Sequence, residues 1–133
     1  MHAAPVKVLL VDDDEDDFVI AREMLCDQAI VEFQIEWAPT FESGLEAIAG
    51  HCPDVCVVDF RLGEHNGLDF MRRVLDQGFD IPMVMMTGHG DLSVDVEAAR
   101  IGAVGYLVKG DVQPAQFKRV LHGAIHFARQ GRS

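Results

Sequence analysis

Residues 55–59 read Val55-Cys56-Val57-Val58-Asp59, a short apolar run that ends in a single carboxylate. Three further apolar runs also end in polar side chains: residues 6–11 before Asp12 and Asp13, residues 82–86 before Thr87, and residues 106–108 before Lys109. Continuous hydrophobicity over so few residues is typical of strands buried on both faces of a parallel sheet. If the four runs are parallel strands of one sheet, their polar ends meet at one edge of it.

Segments with apolar residues at helical spacing separate these runs. An alternating run at residues 31–38 predicts a further strand near the sheet edge. The fourth helix, residues 91–101, has small and scattered apolar residues, so we expect it to be the least firmly anchored. The helix boundaries are predicted from N-caps at Asp14, Thr40 and Asn66, from terminating glycines at Gly50, Gly78 and Gly102, and from Pro114 at the start of the fifth helix.

Five strands that alternate with five helices predict one α/β domain over residues 1–133, with its core at about 6–130. Strict alternation with short connections implies a parallel sheet with helices on both faces and right-handed crossovers. In such sheets the functional site lies beyond the carboxyl ends of the strands. The polar groups that follow the strands therefore belong to one predicted site.

Composition excludes several classes of function. The chain is 49% hydrophobic and 25% charged, which argues against extended disorder. A formal net charge of -11 disfavours direct nucleic-acid binding, because phosphate backbones repel such a surface. No apolar run approaches the roughly 20 residues of a membrane helix, and no stretch of signal-peptide type precedes the first strand. We therefore predict a cytoplasmic protein without a membrane segment.

Two other residue sets are weaker candidates for metal binding. Cys26, Cys52 and Cys56 are predicted to be free thiols, since the Cys52-x-x-x-Cys56 spacing has no matching second pair that would complete a zinc site. His122 and His126 lie four residues apart on the last helix. No third ligand accompanies them in the sequence, so we predict that they are exposed surface residues.

Asp12, Asp13 and Asp59 place three carboxylates at neighbouring strand ends. Like charges this close raise one another's pKa unless a positive charge intervenes, which either Mg²⁺ or Lys109 could supply. Thr87 adds a hydroxyl donor. Carboxylates, a divalent cation, a lysine and a hydroxyl are the groups that phosphoryl transfer requires. Asp59 alone among these acids has no acidic sequence neighbour, and it is the predicted nucleophile that forms an aspartyl phosphate.

Four motifs occur in the expected order: Val11-Asp12-Asp13, Val57-Val58-Asp59, Met86-Thr87-Gly88 and Tyr106-Leu107-Val108-Lys109. With them the chain resembles a response-regulator receiver domain of two-component signalling over nearly its whole length. The resemblance implies a flavodoxin-like, doubly wound (βα)5 fold with strand order 2-1-3-4-5. It also implies that a phosphohistidine, on a histidine kinase or a histidine phosphotransfer protein, donates the phosphoryl group to Asp59.

The resemblance further implies a role for each site residue. Mg²⁺ would be bound by Asp13, Asp59 and the backbone carbonyl of Arg61, with Asp12 holding the metal through water. Thr87 and Lys109 would contact the phosphoryl oxygens. Tyr106 resembles the aromatic switch residue of the family, which changes rotamer when Thr87 is drawn toward the phosphate.

Phosphorylation would switch an interaction surface on the fourth and fifth helices and the fifth strand, and this surface would transmit the signal. Its partner would be a downstream protein, an output domain outside the given sequence, or a second copy in a phosphorylation-dependent homodimer. We expect no enzymatic turnover beyond the domain's own phosphorylation and dephosphorylation.

Two departures from the family pattern stand near the site. Gly110 follows Lys109 where the family usually has a proline, often in a cis peptide, so either backbone strain or a rearranged loop is expected there. Arg61 and His89 occupy loop positions that flank the phosphate and vary in the family. We predict that both modulate the lifetime of the aspartyl phosphate.

Three alternative functions stay open at this stage. An aspartyl-phosphate phosphatase would have Asp-x-Asp after its first strand, with the second Asp as the acid-base. Asp59-Phe60-Arg61 lacks that second acid, and Asp12-Asp13 has the wrong spacing for the motif. A non-phosphorylated pseudo-receiver would be a binding module of the same fold, against which the complete set of acids, threonine and lysine argues. A flavin-binding module is weaker still, since no Ser/Thr/Gly-rich phosphate loop follows the first strand.

Overall fold

The computed structural model describes residues 4–26, 31–88 and 92–130. Within them, strands and helices alternate along the chain in five pairs. These are β1 (Val6–Val11), α1 (Glu15–Leu25), β2 (Phe33–Ala38), α2 (Phe41–His51), β3 (Val55–Asp59), α3 (Gly67–Asp76), β4 (Met83–Thr87), α4 (Leu92–Ile101), β5 (Gly105–Val108) and α5 (Pro114–Gln130).

The five strands form one parallel sheet in the order β2-β1-β3-β4-β5. Both the predicted α/β class and the predicted strand order are confirmed. All neighbouring strands are parallel. The polar residues at the carboxyl ends of β1, β3, β4 and β5 therefore lie at the same edge of the sheet.

Alternate residues of each strand face opposite layers of helices. Leu9, Val58 and Met85 pack in a cluster with side chains of α2, α3 and α4. Their neighbours Leu10 and Val57 pack in a second cluster with side chains of α1 and α5. Burial on both faces explains why β1, β3 and β4 have continuous rather than alternating hydrophobicity.

The three predicted N-caps are confirmed. The Asp14 side chain accepts a hydrogen bond from the backbone N–H of Asp16. Thr40 and Ser43 form a reciprocal capping box, and Asn66 accepts from the N–H of Asp69. Each cap satisfies a backbone donor that the first helical turn leaves without a partner.

The predicted end of α2 at Gly50 is wrong. Gly50 is helical, and the helix continues to His51, with the N–H of Cys52 still donating to the carbonyl of Ile48 at 3.2 Å. Cys52 then takes a left-handed conformation with φ of 45°. Pro53 follows, and a proline cannot extend the hydrogen-bond ladder. The helix therefore ends at the proline rather than at the glycine. Gly78 and Gly102 do follow their helices, with positive φ.

Smaller differences concern boundaries and faces. β2 begins at Phe33, two residues into its predicted run, and β4 begins at Met83, one residue into the run 82–86. On α3, the apolar Leu75 is 44% exposed, whereas Phe70 is fully buried. The loop after β3 contains a small antiparallel ribbon that pairs Arg61–Leu62 with His65–Asn66.

α4 is held by a few contacts. It buries Val94 and Ala98, while Leu92 and Val96 are exposed. An ion pair at 3.0 Å between Arg72 of α3 and Glu97 of α4 adds a link at the surface. α1 also buries two residues, so a weak hold is not peculiar to α4.

None of the helices in the described part of the chain has the length and apolar character needed to cross a membrane. The three cysteines are free thiols, as predicted. Cys56 is buried in β3, and this burial raises the pKa of its thiol.

Gly67 offers a test of how closely α3 approaches β3. A Cβ atom at Gly67 would lie 2.6 Å from the backbone oxygen of Asp59, which cannot move without disturbing the strand end. We expect Gly67→Ala to lower the free energy of unfolding by about 2–3 kcal/mol, measured by urea denaturation. Gly50→Ala is the control. A Cβ atom there meets nothing within 4 Å, and Gly50 is helical, one residue before the end of α2. The substitution should therefore be neutral or raise stability by less than about 1 kcal/mol. Equal effects of the two substitutions would contradict the close approach.

Candidate functional site

Three polar side chains are buried at the carboxyl ends of the strands. Asp12 is 0% exposed, Asp59 3% and Thr87 5%, and they are the buried polar or charged residues within the described part of the chain. They follow β1 or end β3 and β4, which are adjacent in the sheet. Since burying a carboxylate without partners is costly, such a cluster points to a functional site rather than to packing.

Lys109 follows β5 and joins the two buried carboxylates. Its Nζ atom donates a hydrogen bond to Asp59 Oδ2 at 2.9 Å and lies 3.1 Å from Asp12 Oδ2. It also donates to Asp17 Oδ2 on α1. The structure therefore brings Lys109 together with Asp12 and Asp59, as the sequence predicts, and adds Asp17.

An open cleft of about 270 Å³ gives access to this cluster. Seven residues line it: Asp59, Phe60, Arg61, Thr87, Gly88, Val94 and Lys109. Asp59 and Lys109 supply its charged groups from the sheet edge, and Thr87 supplies a hydroxyl. The cleft is thus a polar recess with one carboxylate and one ammonium at its inner end.

Backbone hydrogen bonds fix the two buried carboxylates. Asp12 Oδ1 accepts from the N–H of Asp14 at 2.9 Å, and the Asp12 carbonyl accepts from Trp37 Nε1 at 2.6 Å. The N–H of Arg61 donates to Asp59 Oδ1 at 3.3 Å. These contacts leave Oδ2 of each carboxylate turned toward Lys109.

The structure gives the positions of three other predicted site residues, Asp13, Arg61 and Tyr106. Asp13 is exposed, and its Oδ2 atom accepts from the N–H of Gly63 at 3.2 Å, across the loop that follows β3. The Arg61 side chain is exposed at the rim. His89 lies outside the described residues. Tyr106 is 36% exposed, and its hydroxyl lies 3.5 Å from the carbonyl oxygen of Ala103, so the ring is oriented away from the buried cluster.

The sequence does not single out Asp17, because it lies in a run of consecutive acidic residues at the start of a helix, where carboxylates are usually solvated. Its side chain is 21% exposed and contacts Lys109. Helical spacing could have identified it, since Asp17, Ala21 and Leu25 are four residues apart, and the latter two are buried. Asp17 therefore begins the inward-facing stripe of α1.

The electrostatic environment raises the pKa of both Asp12 and Lys109. Burial raises the pKa of the Asp12 carboxyl to about 7, against the hydrogen bond from Asp14, and the nearby charge of Asp59 adds to the increase. Burial alone would lower the pKa of Lys109, but hydrogen bonds to Asp17 and Asp59 and the charges of Asp59 and Asp12 raise it overall. Lys109 is therefore a permanent internal cation.

The carboxylates also fit a hard divalent cation. Oxygen atoms of Asp12, Asp17 and Asp59 all lie within 4.8 Å of one another, and Asp12 Oδ2 is buried without a hydrogen-bond partner. Mg²⁺ prefers such oxygen ligands and retains several waters. Within residues 4–26, 31–88 and 92–130, no other group of three or more His, Cys, Asp or Glu side chains lies close enough to share a metal ion.

At Gly110, where the family usually has a proline, the structure shows a rearranged loop. The Lys109–Gly110 peptide is trans, and Gly110 has φ of 82°. The N–H of Asp111 donates to the carbonyl of Val108 at 3.1 Å, which closes a turn with glycine at its third position. Type II turns require positive φ there, and a proline could not adopt it. The N–H of Lys109 still pairs with the carbonyl of Thr87 at 2.8 Å, so the loop leaves Lys109 in register.

Comparisons with known proteins agree with this geometry. Residues 8–121 match the family model of the response regulator receiver domain. The chain is 34% identical over 112 residues to the C4-dicarboxylate transport transcriptional regulatory protein DctD of Rhizobium meliloti strain 1021, covering 82% of this chain and 23% of that protein. It is 33% identical over 107 residues to the acid tolerance regulatory protein ActR of Sinorhizobium medicae strain WSM419, covering 79% of this chain and 53% of that protein.

Among solved structures, a response regulator receiver domain protein (CheY-like) from Methanospirillum hungatei JF-1 superposes with a TM-score of 0.82 at 20% identity. The match covers 96% of this chain and 99% of that one, and it shows a shared fold. The chain spans roughly a quarter to a half of the two curated relatives named above.

The raised pKa of Asp12 gives a prediction about stability. Because the folded pKa of about 7 lies above the ordinary value of 3.8, the native state binds this proton more tightly than the unfolded state does. The stabilisation is complete below about pH 4 and is lost as pH rises to about 7. Without metal, wild type should therefore lose stability across that window, and Asp12→Asn should lose less. At pH 8 the variant should be more stable by roughly 1–2 kcal/mol.

Urea denaturation in EDTA between pH 4 and pH 8 measures this difference. Glu64→Gln, which removes an exposed carboxylate elsewhere, is the matched control and should follow wild type. Parallel pH profiles of wild type and Asp12→Asn would contradict the assignment.

Proposed function

Because the chain belongs to the response regulator receiver domain family, we propose that it is a phosphorylation switch that accepts a phosphoryl group on Asp59. The donor is a phosphohistidine of a histidine kinase or a histidine phosphotransfer protein. The observation that carries the proposal is the hydrogen bond of 2.9 Å between Lys109 Nζ and a buried Asp59 carboxylate at the inner end of one open cleft.

The transfer step is a substitution at phosphorus. A carboxylate oxygen of Asp59 attacks the phosphorus, the P–N bond to the donor histidine breaks, and its electron pair returns to the imidazole nitrogen, which then binds a proton. Lys109 donates to a phosphoryl oxygen, and the Thr87 hydroxyl donates to another. The nucleophile is a carboxylate oxygen, which has no proton that a base would have to remove before it attacks.

Mg²⁺ is the cofactor that the proposal requires. Asp12, Asp13, Asp59 and the backbone carbonyl of Arg61 would hold it. Bound there, Mg²⁺ supplies positive charge next to the phosphoryl oxygens. The feature of the structure that supports this cofactor is Asp12 Oδ2, which is buried without a hydrogen bond and has only the ion pair with Lys109.

Phosphorylation would be transmitted to the face formed by α4, β5 and α5. Thr87, drawn toward the phosphoryl group, leaves space that Tyr106 can enter by changing rotamer. This face exposes Leu92, Val96 and Phe127, and it contains an apolar groove of about 490 Å³. A change in the orientation of Tyr106 would alter a surface that already offers apolar contacts.

The face formed by α4, β5 and α5 is also the proposed binding surface for partners. We propose that it binds a downstream protein, an output domain of the same polypeptide, or a second copy of the chain once Asp59 is phosphorylated. The relatives named above are regulatory proteins longer than this chain. The net charge of -11 makes direct contact with nucleic acid unfavourable. We place the domain in the cytoplasm and assign it no turnover beyond its own phosphorylation and dephosphorylation.

Two of the alternatives have less support. A pseudo-receiver would not need the buried Asp59, Thr87 and Lys109 together. A phosphatase of the Asp-x-Asp type needs a second acid two residues after the nucleophile, and Arg61 occupies that position.

Labelling with a small acyl phosphate tests the proposal. With Mg²⁺ and acetyl phosphate, the wild-type mass should increase by one phosphoryl group as the P–O bond breaks and acetate leaves. Asp59→Asn should abolish the increase. Asp54→Asn is the control, because Asp54 bonds the N–H of Lys7 and lies away from the cleft, so it should label normally. Retained labelling of Asp59→Asn would refute the assignment.

The rim residues give a second test. Arg61 lines the cleft, and we propose that Arg61 and His89 influence how water reaches the phosphoryl group. In the Arg61→Ala, His89→Ala double variant, the rate of loss of the label after removal of acetyl phosphate should differ from wild type by at least about threefold, equivalent to about 0.7 kcal/mol. An unchanged rate would exclude this role.

A further inference from the structure

We propose that Asp17 is a positioning residue for Lys109. In this role Asp17 strengthens Mg²⁺ binding at the site and slows phosphorylation of Asp59. The inference rests on the proposed function and deepens it. It assigns a role to a carboxylate that belongs to α1 rather than to the sheet edge.

The first observation is that one ammonium group holds carboxylates from separate elements. Lys109 Nζ contacts Asp59 of β3, Asp12 after β1, and Asp17 in the first turn of α1. Asp17 is 21% exposed in its side chain, whereas Glu15 and Asp16 beside it are exposed residues. The inward orientation is thus particular to Asp17 within this acidic turn.

The second observation is how the donors of Lys109 are distributed. An ammonium has three N–H donors. Lys109 makes hydrogen bonds to Asp17 and Asp59, while Asp12 Oδ2 lies 3.1 Å away without a hydrogen bond. Asp17 therefore engages a donor close to a fully buried carboxylate oxygen that is left without one. This oxygen has no hydrogen bond, and its partner is the ammonium of Lys109 at 3.1 Å. It faces the same cluster, so it can also bind a cation.

The formal charges give the direction of the effect on metal binding. Three carboxylates and one ammonium leave a net charge of -2 among Asp12, Asp17, Asp59 and Lys109, and without Asp17 the same group would carry -1. A divalent cation within this group is attracted more strongly when Asp17 is ionised, because Coulomb energy scales with the product of the charges. Removing that charge should weaken Mg²⁺ binding.

The effect on phosphorylation has the opposite sign. A phosphoryl group brings about -1.5 to -2 charges, which Asp17 repels at short range. Asp17 also competes with the phosphoryl oxygens for the ammonium of Lys109. Once Mg²⁺ is saturating, an uncharged side chain at this position should therefore make the reaction faster.

The ordinary role of a carboxylate in a first helical turn is to interact with the helix dipole. Asp16 shares that role with Asp17 but does not contact Lys109. Asp16→Asn is therefore a matched control that removes the same charge from the same turn. Asp17→Glu keeps the charge and should behave more like wild type than Asp17→Asn does.

Two measurements on the same variants test the proposal. The chain has one tryptophan, and Trp37 Nε1 lies 2.6 Å from the carbonyl oxygen of Asp12, so its fluorescence can monitor Mg²⁺ titration, with calorimetry as an independent reading. The second measurement is the rate of phosphorylation by acetyl phosphate at saturating Mg²⁺. Melting temperatures establish that each variant is folded.

For Asp17→Asn we expect a Mg²⁺ Kd about threefold to tenfold higher and a phosphorylation rate about threefold higher. Asp16→Asn should change both by less than about twofold. An unchanged Kd, or a rate that is unchanged or lower at saturating Mg²⁺, overturns the proposal, as does an Asp16→Asn variant with the same changes. If wild type does not label at all, the proposed function fails instead, and the Mg²⁺ titration alone decides the role of Asp17 in metal binding.

Discussion

Burial of two like charges at the edge of one sheet is the constraint on which this structure depends. Asp12 and Asp59 are adjacent because β1 and β3 are neighbours, and both are almost without solvent contact. Removing such ions from water costs several kcal/mol each unless opposite charge is near. Lys109 supplies that charge from β5, the other side of β4. The strand order is thus an electrostatic requirement as well as a topological one.

The rest of the fold serves this arrangement by holding backbone positions rigid. Strands with apolar side chains on both faces leave little freedom to move the residues at their ends. α3 packs against the end of β3 because Gly67 has no side chain, and the N–H of Gly67 donates to the carbonyl of Phe60 at 2.7 Å. Trp37 stacks on Phe18 and bonds the Asp12 carbonyl. Each contact holds the backbone at one strand end without contributing a reactive group.

The sequence predicts the sheet, its order and most of the cleft because those depend on regular patterns. Continuous apolar runs mark strands covered on both faces, and the polar residues after them mark one edge. Asp17 was not predicted because its inward orientation depends on the rotation of α1 about its axis. A run of consecutive acidic residues gives no sign of which of them faces inward. The end of α2 was misplaced because a glycine signal and a proline signal competed, and the proline prevailed. At Gly110 the sequence indicated a departure from the family pattern but not whether backbone strain or a rearranged loop would result.

The left-handed turn at Gly110 has a consequence for building chimeras from related domains. Residues 108–111 act as one unit, since the positive φ of Gly110 and the hydrogen bond from Asp111 to Val108 each depend on the other. A proline after the lysine could not adopt the positive φ of Gly110, so a segment with proline there would need a different backbone conformation in this turn. Recombination points in this chain therefore belong before β5 or within α5. A junction inside the turn would join two backbones that are individually sound but geometrically incompatible.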